Sequence, residues 1–205
     1  MLSAFIHGFI LSAALILPLG PQNIFIFNQG AAHRKFVMAL PVVVTAALCD
    51  TLLILISVSG VSLVVIAIPQ LQVILYSLGF IFLMYIGWTI WHSDAGDSDQ
   101  KQAVPVKKQI LFALSISLLN PHAILDTVGV IGINAVQYAE RTELIAFALA
   151  CILVSWIAFT LLAIIGRVVK TIDKAGKGLK IINKISAVSM WGIAGFILIE
   201  VFRML

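Results

Sequence analysis

The sequence predicts an all-α membrane protein: six transmembrane helices as a 3+3 inverted-topology repeat, with helices one and four broken at mid-membrane. Three observations predict it. The chain has 205 residues, of which 61% are hydrophobic and 11% charged, with a mean hydropathy of +1.12; a soluble domain is roughly 25% charged. Its apolar runs are the length of bilayer-spanning helices, about 20 residues each, so the chain allows roughly six and leaves no room for a sizeable domain outside the membrane. Two of those runs are interrupted near their midpoints by proline, at corresponding places in the two halves of the chain. A strand barrel is excluded because its segments alternate polar and apolar, whereas these runs are apolar throughout.

The first span covers about Ser3 to Gln29. It lacks a basic leader region and continues through a Gly-Pro break into further apolar sequence, so it reads as a retained span. A long apolar stretch, Phe36 to Ile68, follows the basic His33-Arg34-Lys35, and Ser57-Val58-Ser59-Gly60 is where its helix is expected to end or bend. The third span, Leu71 to Trp91, finishes on Trp88 and Trp91, whose amphipathic rings suit the membrane interface. A polar connection then marks the midpoint. The chain divides into a first three-helix repeat, 1–92, a linker, 93–108, and a second repeat, 109–205, within one transporter domain. Span four runs from about Ile110 to Ile133, span five from Leu144 to Ile165 and span six from Ile181 to Phe202, with a basic connection from Gly166 to Lys180 between the last two.

Eleven of the thirteen Lys and Arg fall in or beside the connections after spans one, three and five; Arg141 and Arg203 fall on the other side. By the positive-inside rule the three basic connections face the cytoplasm and both termini face outward. With three spans per half, spans one and four cross in opposite directions, which makes the halves an inverted repeat. The net charge of +4 is thereby explained by orientation and by attraction to anionic headgroups, not by nucleic acid.

The breaks are built from specific residues. In span four, Leu119-Asn120-Pro121-His122 places a helix breaker behind a good cap, so a second half-helix begins at Pro121. In span one, Pro18, Gly20 and Pro21 do the same, with Gln22 and Asn23 just behind. Half-helix N-termini carry partial positive charge into the membrane centre, and such backbone survives there only beside protein or a water-filled cavity. Paired interrupted spans point to a transporter binding site at the repeat interface.

The ionisable residues near span centres are Asp50, His122 and Asp126, with no Lys or Arg beside them. A carboxylate at a helix centre costs about 2.5 to 3.5 kcal/mol, so a proton or a cationic ligand must balance it. His122 and Asp126 are four residues apart and share one face of an α-helix. The substrate-binding candidates are Gln22, Asn23, Asp50, Asn120, His122 and Asp126, with Asp50 and Asp126 as proton-coupling residues. A cationic amino acid fits them: its carboxylate at the half-helix amides, its ammonium or guanidinium at the acids. Simpler roles compete: Gln22 and Asn23 satisfying broken backbone, His122 packing beside a helix start, either acid bonded to a neighbouring hydroxyl. Cys49 and Cys151 form no CxxC and read as small apolar filler.

Leu17-Pro18-Leu19-Gly20-Pro21-Gln22-Asn23 followed by Asn28-Gln29-Gly30, together with Leu119-Asn120-Pro121-His122 and Leu125-Asp126-Thr127, resembles the LysE family of amino-acid exporters, its lysine and arginine branch above all. The resemblance implies export of basic L-amino acids from the bacterial cytoplasm across the inner membrane, driven by the proton motive force, with Asp50 and Asp126 matching an acid pair important for activity. It implies no enzyme and no cofactor. The expected partners are a basic amino acid, protons and membrane lipid, with a homodimer left open. Neutral amino acids or a metal cation remain alternative cargoes for the same fold.

Overall fold

The computed structural model describes residues 1–16, 20–33, 35–60, 69–92, 105–118, 124–172 and 177–204, and they are helical without a strand among them. Helices α1 (Leu2–Ile16) and α2 (Pro21–Ala32) form the first apolar run, and their axes meet at 77°. Gly20 is the extended residue ahead of α2 (φ −74°, ψ 173°), Pro21 takes the first helical position, and the Gly20 carbonyl accepts the first bond, from the Ile24 amide at 3.1 Å. Proline suits that position because its missing N–H is one that a helix start leaves unpaired anyway. Pro18 lies outside the described residues.

A 3-10 turn, Phe36–Ala39, leads into α3 (Leu40–Val58), which ends at Ser59-Gly60. Gly60 has φ +86°, a conformation in which a side chain would be strained, so the helix stops where the sequence led us to expect it. α4 (Pro69–Trp91) closes with Trp88 and Trp91 exposed. α5 (Val106–Leu118) lies at the start of the fourth apolar run. The break expected at Asn120, Pro121 and His122 lies outside the described residues. Beyond it, Leu125–Ile131 winds as a π-helix and passes into α6 (Gly132–Ala135).

The last two helices correct the expected boundaries. α7 (Arg141–Ile172) and α8 (Lys177–Met204) continue through most of the connection assigned to Gly166 to Lys180. At 1.5 Å per residue α7 is about 48 Å long, well beyond the ~30 Å hydrocarbon layer. Gly166 does not break it, because it is a packing position: a Cβ there would strike the Phe27 carbonyl. Arg167 and Lys170 are good helix formers and extend the helix past the apolar layer.

α1, α2 and α3 all pack on α7; α3 also packs on α5, the π-helix and α6; α4 packs chiefly on α8. α1, α2, α3, α5, the π-helix, α6 and α7 thus form a core, with α4 and α8 paired beside it through Leu83, Ala194 and Ile197. Large apolar side chains cover the outside, among them Ile10, Leu52, Ile81, Leu149 and Phe196, an arrangement that only lipid makes favourable. Among the described residues three helices are long and apolar enough to cross a membrane, within Phe36–Val58, Arg141–Ile172 and Lys180–Arg203, and the bent pair α1–α2 makes a fourth.

Candidate functional site

Along α3 two apolar clusters leave a gap between them. Toward one end, Val42, Val43, Ala46 and Ala47 pack with Ile26 and Phe159; toward the other, Ile54 packs with Ala4, Ile131, Phe147 and Cys151. Asp50 occupies the gap, half-buried. The fully buried Ser155 of α7 donates its hydroxyl to Asp50 Oδ2 at 2.5 Å. One residue on, Trp156 Nε1 donates to Thr51 Oγ1 at 3.2 Å, and Thr51 donates in turn to the Ala47 carbonyl at 2.7 Å. Two adjacent residues of span two are thus held by two adjacent residues of span five.

Other polar groups share this level. Ser12 of α1 donates to the Cys151 carbonyl at 3.3 Å, and the buried Ser117 hydroxyl of α5 lies beside the Cys49 thiol. Both cysteines are buried and free, as their apolar-filler reading expects, yet both flank Asp50. The sequence reading missed Ser12, Ser117 and Ser155. A serine inside an apolar run is unremarkable on its own, because its hydroxyl can bond the carbonyl one turn back.

The structure separates the two amides behind Pro21. Asn23, 7% exposed, donates from Nδ2 to the Ile16 carbonyl at 2.7 Å, so it reaches back across the break and satisfies an orphaned acceptor at the end of α1. Gln22 Nε2 is buried without a hydrogen-bond partner among the described residues. Asn23→Ala should leave the Ile16 carbonyl short of that donor and cost about 1–3 kcal/mol. A thermal melt in detergent lowered by several degrees is the expected result.

Asp126 sits on the π-helix. The carbonyl of the next residue, Thr127, accepts from Ser57 Oγ at 3.2 Å. Ser57 lies seven residues beyond Asp50 on α3, which is two turns along the same face, so the α3 face carrying Asp50 also meets backbone adjacent to Asp126. From Leu125 the backbone winds with i→i+5 bonds; the shared face expected of His122 and Asp126 falls partly outside the described residues. Asn120, Pro121 and His122 lie outside the described residues.

Three further polar contacts sit nearer the helix ends. His33, just past α2, places Nε2 2.9 Å from the Gln109 amide nitrogen of α5, and burial pushes its imidazole below the ordinary histidine value. At the other end, the Met1 ammonium pairs with Glu143 at 3.0 Å and the Tyr138 hydroxyl lies 2.7 Å from His7 Nδ1. A cavity of about 290 Å³ at the span-one bend is lined by Phe9, Ala13, Ile16, Asn23, Val154 and Leu161 among others. Phe9 and Leu161 are more than two-fifths exposed on the bilayer-facing surface, and this apolar lining offers nothing to a cationic group.

Residues 13–201 match the profile of the LysE type translocator family. The chain is 48% identical over 202 residues to YisU of Bacillus subtilis (strain 168), provisionally named an amino-acid transporter, covering 98% of this chain and 91% of that one. It is 34% identical to the arginine exporter protein ArgO of Serratia proteamaculans (strain 568), covering 95% of each chain, and 33% identical to ArgO of Salmonella typhimurium, covering 95% of this chain and 92% of that one. No solved structure matches the chain.

Proposed function

The chain belongs to the LysE family of translocators, and from that premise we propose that it exports basic L-amino acids, arginine first, from the bacterial cytoplasm in exchange for protons. The observation that carries this reading is Asp50: a carboxyl between two apolar clusters, where α3 meets α7, with a serine hydroxyl and no basic side chain acting on it among the described residues. A lone acid set among apolar helices in this way needs a mobile cation or a proton. Relatives at about a third identity named as arginine exporters favour a guanidinium as that cation.

In this reading the substrate carboxylate lies at the N-terminal amides of α2, where the unpaired Gln22 Nε2 adds a donor and Asn23 holds the break open. Asn120 and His122 provide the corresponding start in span four, and Asp50 and Asp126 face the cationic end and carry the exchanged protons. The packing pattern supports an inverted repeat. Exchanging spans one with four, two with five and three with six turns the one–five contact into the four–two contact and returns the two–five and three–six contacts unchanged. That symmetry suits alternating access about a fixed site, with the basic connections cytoplasmic, both termini outside and the protein in the inner membrane.

Energetics favour a coupling ion. Moving a positive charge outward against an inside-negative potential costs about 2.3 kcal/mol per 100 mV, so a uniporter would import arginine. One-for-one exchange with a proton removes that cost. The test is efflux of labelled arginine, lysine and a neutral amino acid from loaded proteoliposomes, with and without a pH gradient. Arginine efflux should accelerate several-fold when the receiving side is acid and should carry protons inward; efflux of the neutral amino acid alone would replace this reading with a neutral-cargo exporter, a class that the name of YisU leaves open.

A further inference from the structure

We propose that Ser155 is a positioning residue for Asp50, one whose hydroxyl keeps that carboxyl hydrogen-bonded in both its charged and its protonated form. The inference rests on the reading of Asp50 as a group that exchanges a proton for a cationic substrate, and it names the part of span five that makes the exchange workable.

The geometry is a choice of two acceptors. Ser155 Oγ lies 2.5 Å from Asp50 Oδ2 and 3.4 Å from the carbonyl of Cys151, one turn back on its own helix. Other hydroxyls inside these helices settle on that carbonyl: Thr45, Thr160 and Ser189 donate to theirs at 2.7, 2.8 and 2.7 Å. Ser155 has been drawn off its helix toward the carboxylate while the carbonyl stays within reach. A hydroxyl has one proton to give and two lone pairs to receive with, whereas an ionised carboxylate only accepts.

With Asp50 charged, Ser155 donates to it. With Asp50 protonated, the Asp50 O–H donates to Ser155 Oγ and the serine proton turns to the Cys151 carbonyl. One O–H bond forms on Asp50 as the proton arrives and breaks as it leaves, and rotation of one hydroxyl accommodates both states. Without Ser155 each state would leave a buried polar group unpaired. The neighbouring Trp156–Thr51 bond keeps the two helices in the register this requires.

The titratable groups around Asp50 are few. α7 contributes Cys151 and α3 itself contributes Cys49, both close enough to feel its charge. The π-helix contributes Asp126, placed by its backbone, with His122 beyond the described residues. α5 carries Lys107 and Lys108 at its exposed far end, and α2, α6 and the 3-10 turn carry no titratable residue.

The test compares wild type, Ser155→Ala, Ser155→Thr and Asp50→Asn, reconstituted in liposomes, by the pH profile of arginine efflux and by the infrared carboxyl stretch that Asp50→Asn removes. The charged hydrogen bond is about twice as strong as the neutral one, so its loss in Ser155→Ala is uneven between the two states and should displace the pH profile by about half to one unit. Ser155→Thr, which keeps the hydroxyl, should restore it. The carboxyl band should move to higher wavenumber in Ser155→Ala, as it does for a carboxyl freed of a hydrogen bond. That measurement needs folded protein but no transport, so it decides the matter even if the threonine variant packs badly. An unmoved band and an unmoved pH profile in Ser155→Ala, with Asp50→Asn inactive, would overturn the role of Ser155 alone. Full export by Asp50→Asn would instead overturn the reading of Asp50 on which it stands.

Discussion

Replacing Asp50 by Asn is expected to lower arginine efflux at least tenfold while leaving the protein folded and inserted. Asparagine has nearly the shape of aspartate and its carbonyl still accepts from Ser155, which lies 2.5 Å from Oδ2 in the native site, so the span-two to span-five contact survives. What disappears is the negative charge and the capacity to bind a proton. Removing one partner of a buried charge pair costs about 2–5 kcal/mol, and every 1.4 kcal/mol is about tenfold in an equilibrium constant. The measurement is initial efflux rate per reconstituted protein, with monodispersity and melting temperature as controls. An Asp50→Asn protein that melts normally and exports at the wild-type rate would show that the buried acid serves structure and not transport.

The largest stability effect is expected at the crossing of α2 and α7. A Cβ added at Gly30 would strike the Ala163 carbonyl, and one added at Gly166 would strike the Phe27 carbonyl. Phe27 and Gly30 are one turn apart on α2, as are Ala163 and Gly166 on α7, so the two helices touch backbone to backbone through small residues. Membrane helices gain little from the hydrophobic effect on meeting one another, and close packing of this kind is what holds them. Forcing them apart by one methyl group in Gly166→Ala should cost about 3 kcal/mol, seen as a large drop in the detergent melting temperature and in the yield of monodisperse protein. Gly192→Ala on α8, where nothing lies within 4 Å of the added atom, should be neutral. Equal melting temperatures for the two variants would contradict the close crossing.

These two sites differ in how far the sequence alone reveals them. Asp50 stands out because an acid inside an apolar run is costly wherever it faces. Gly166 misleads: after an apolar stretch and before a basic one, it looks like the end of span five, and only the helix passing across it explains why that position has no side chain. The same reason accounts for the misplaced connection from Gly166 to Lys180. Apolarity tells where the hydrocarbon ends but not where a helix ends, since Arg and Lys continue a helix readily.

The candidate site was legible to the same degree. The start of α2 at Gly20 and Pro21, the stop at Gly60 and the apolar length of each run follow from properties of single residues: a missing Cβ, a locked φ, the cost of burying polar atoms. Those act locally and can be read in order along the chain, as can the kinship that the paired proline motifs imply. Which groups meet is a different matter. Asp50 and Ser155 are separated by 105 residues, and nothing near either one distinguishes this serine from the others that bond their own helix. Asn23, which the sequence left between binding substrate and satisfying broken backbone, donates to the Ile16 carbonyl, because the 77° bend brings that acceptor within its reach. The π-helical winding at Asp126 likewise has no local signature. The sequence by itself determined a membrane-embedded helical chain with a proline break and isolated acids; only the tertiary structure decided the partner of Asp50 and the crossing at Gly166, because hydrogen bonds and close crossings depend on which helices lie side by side, and that depends on the packing of the whole bundle.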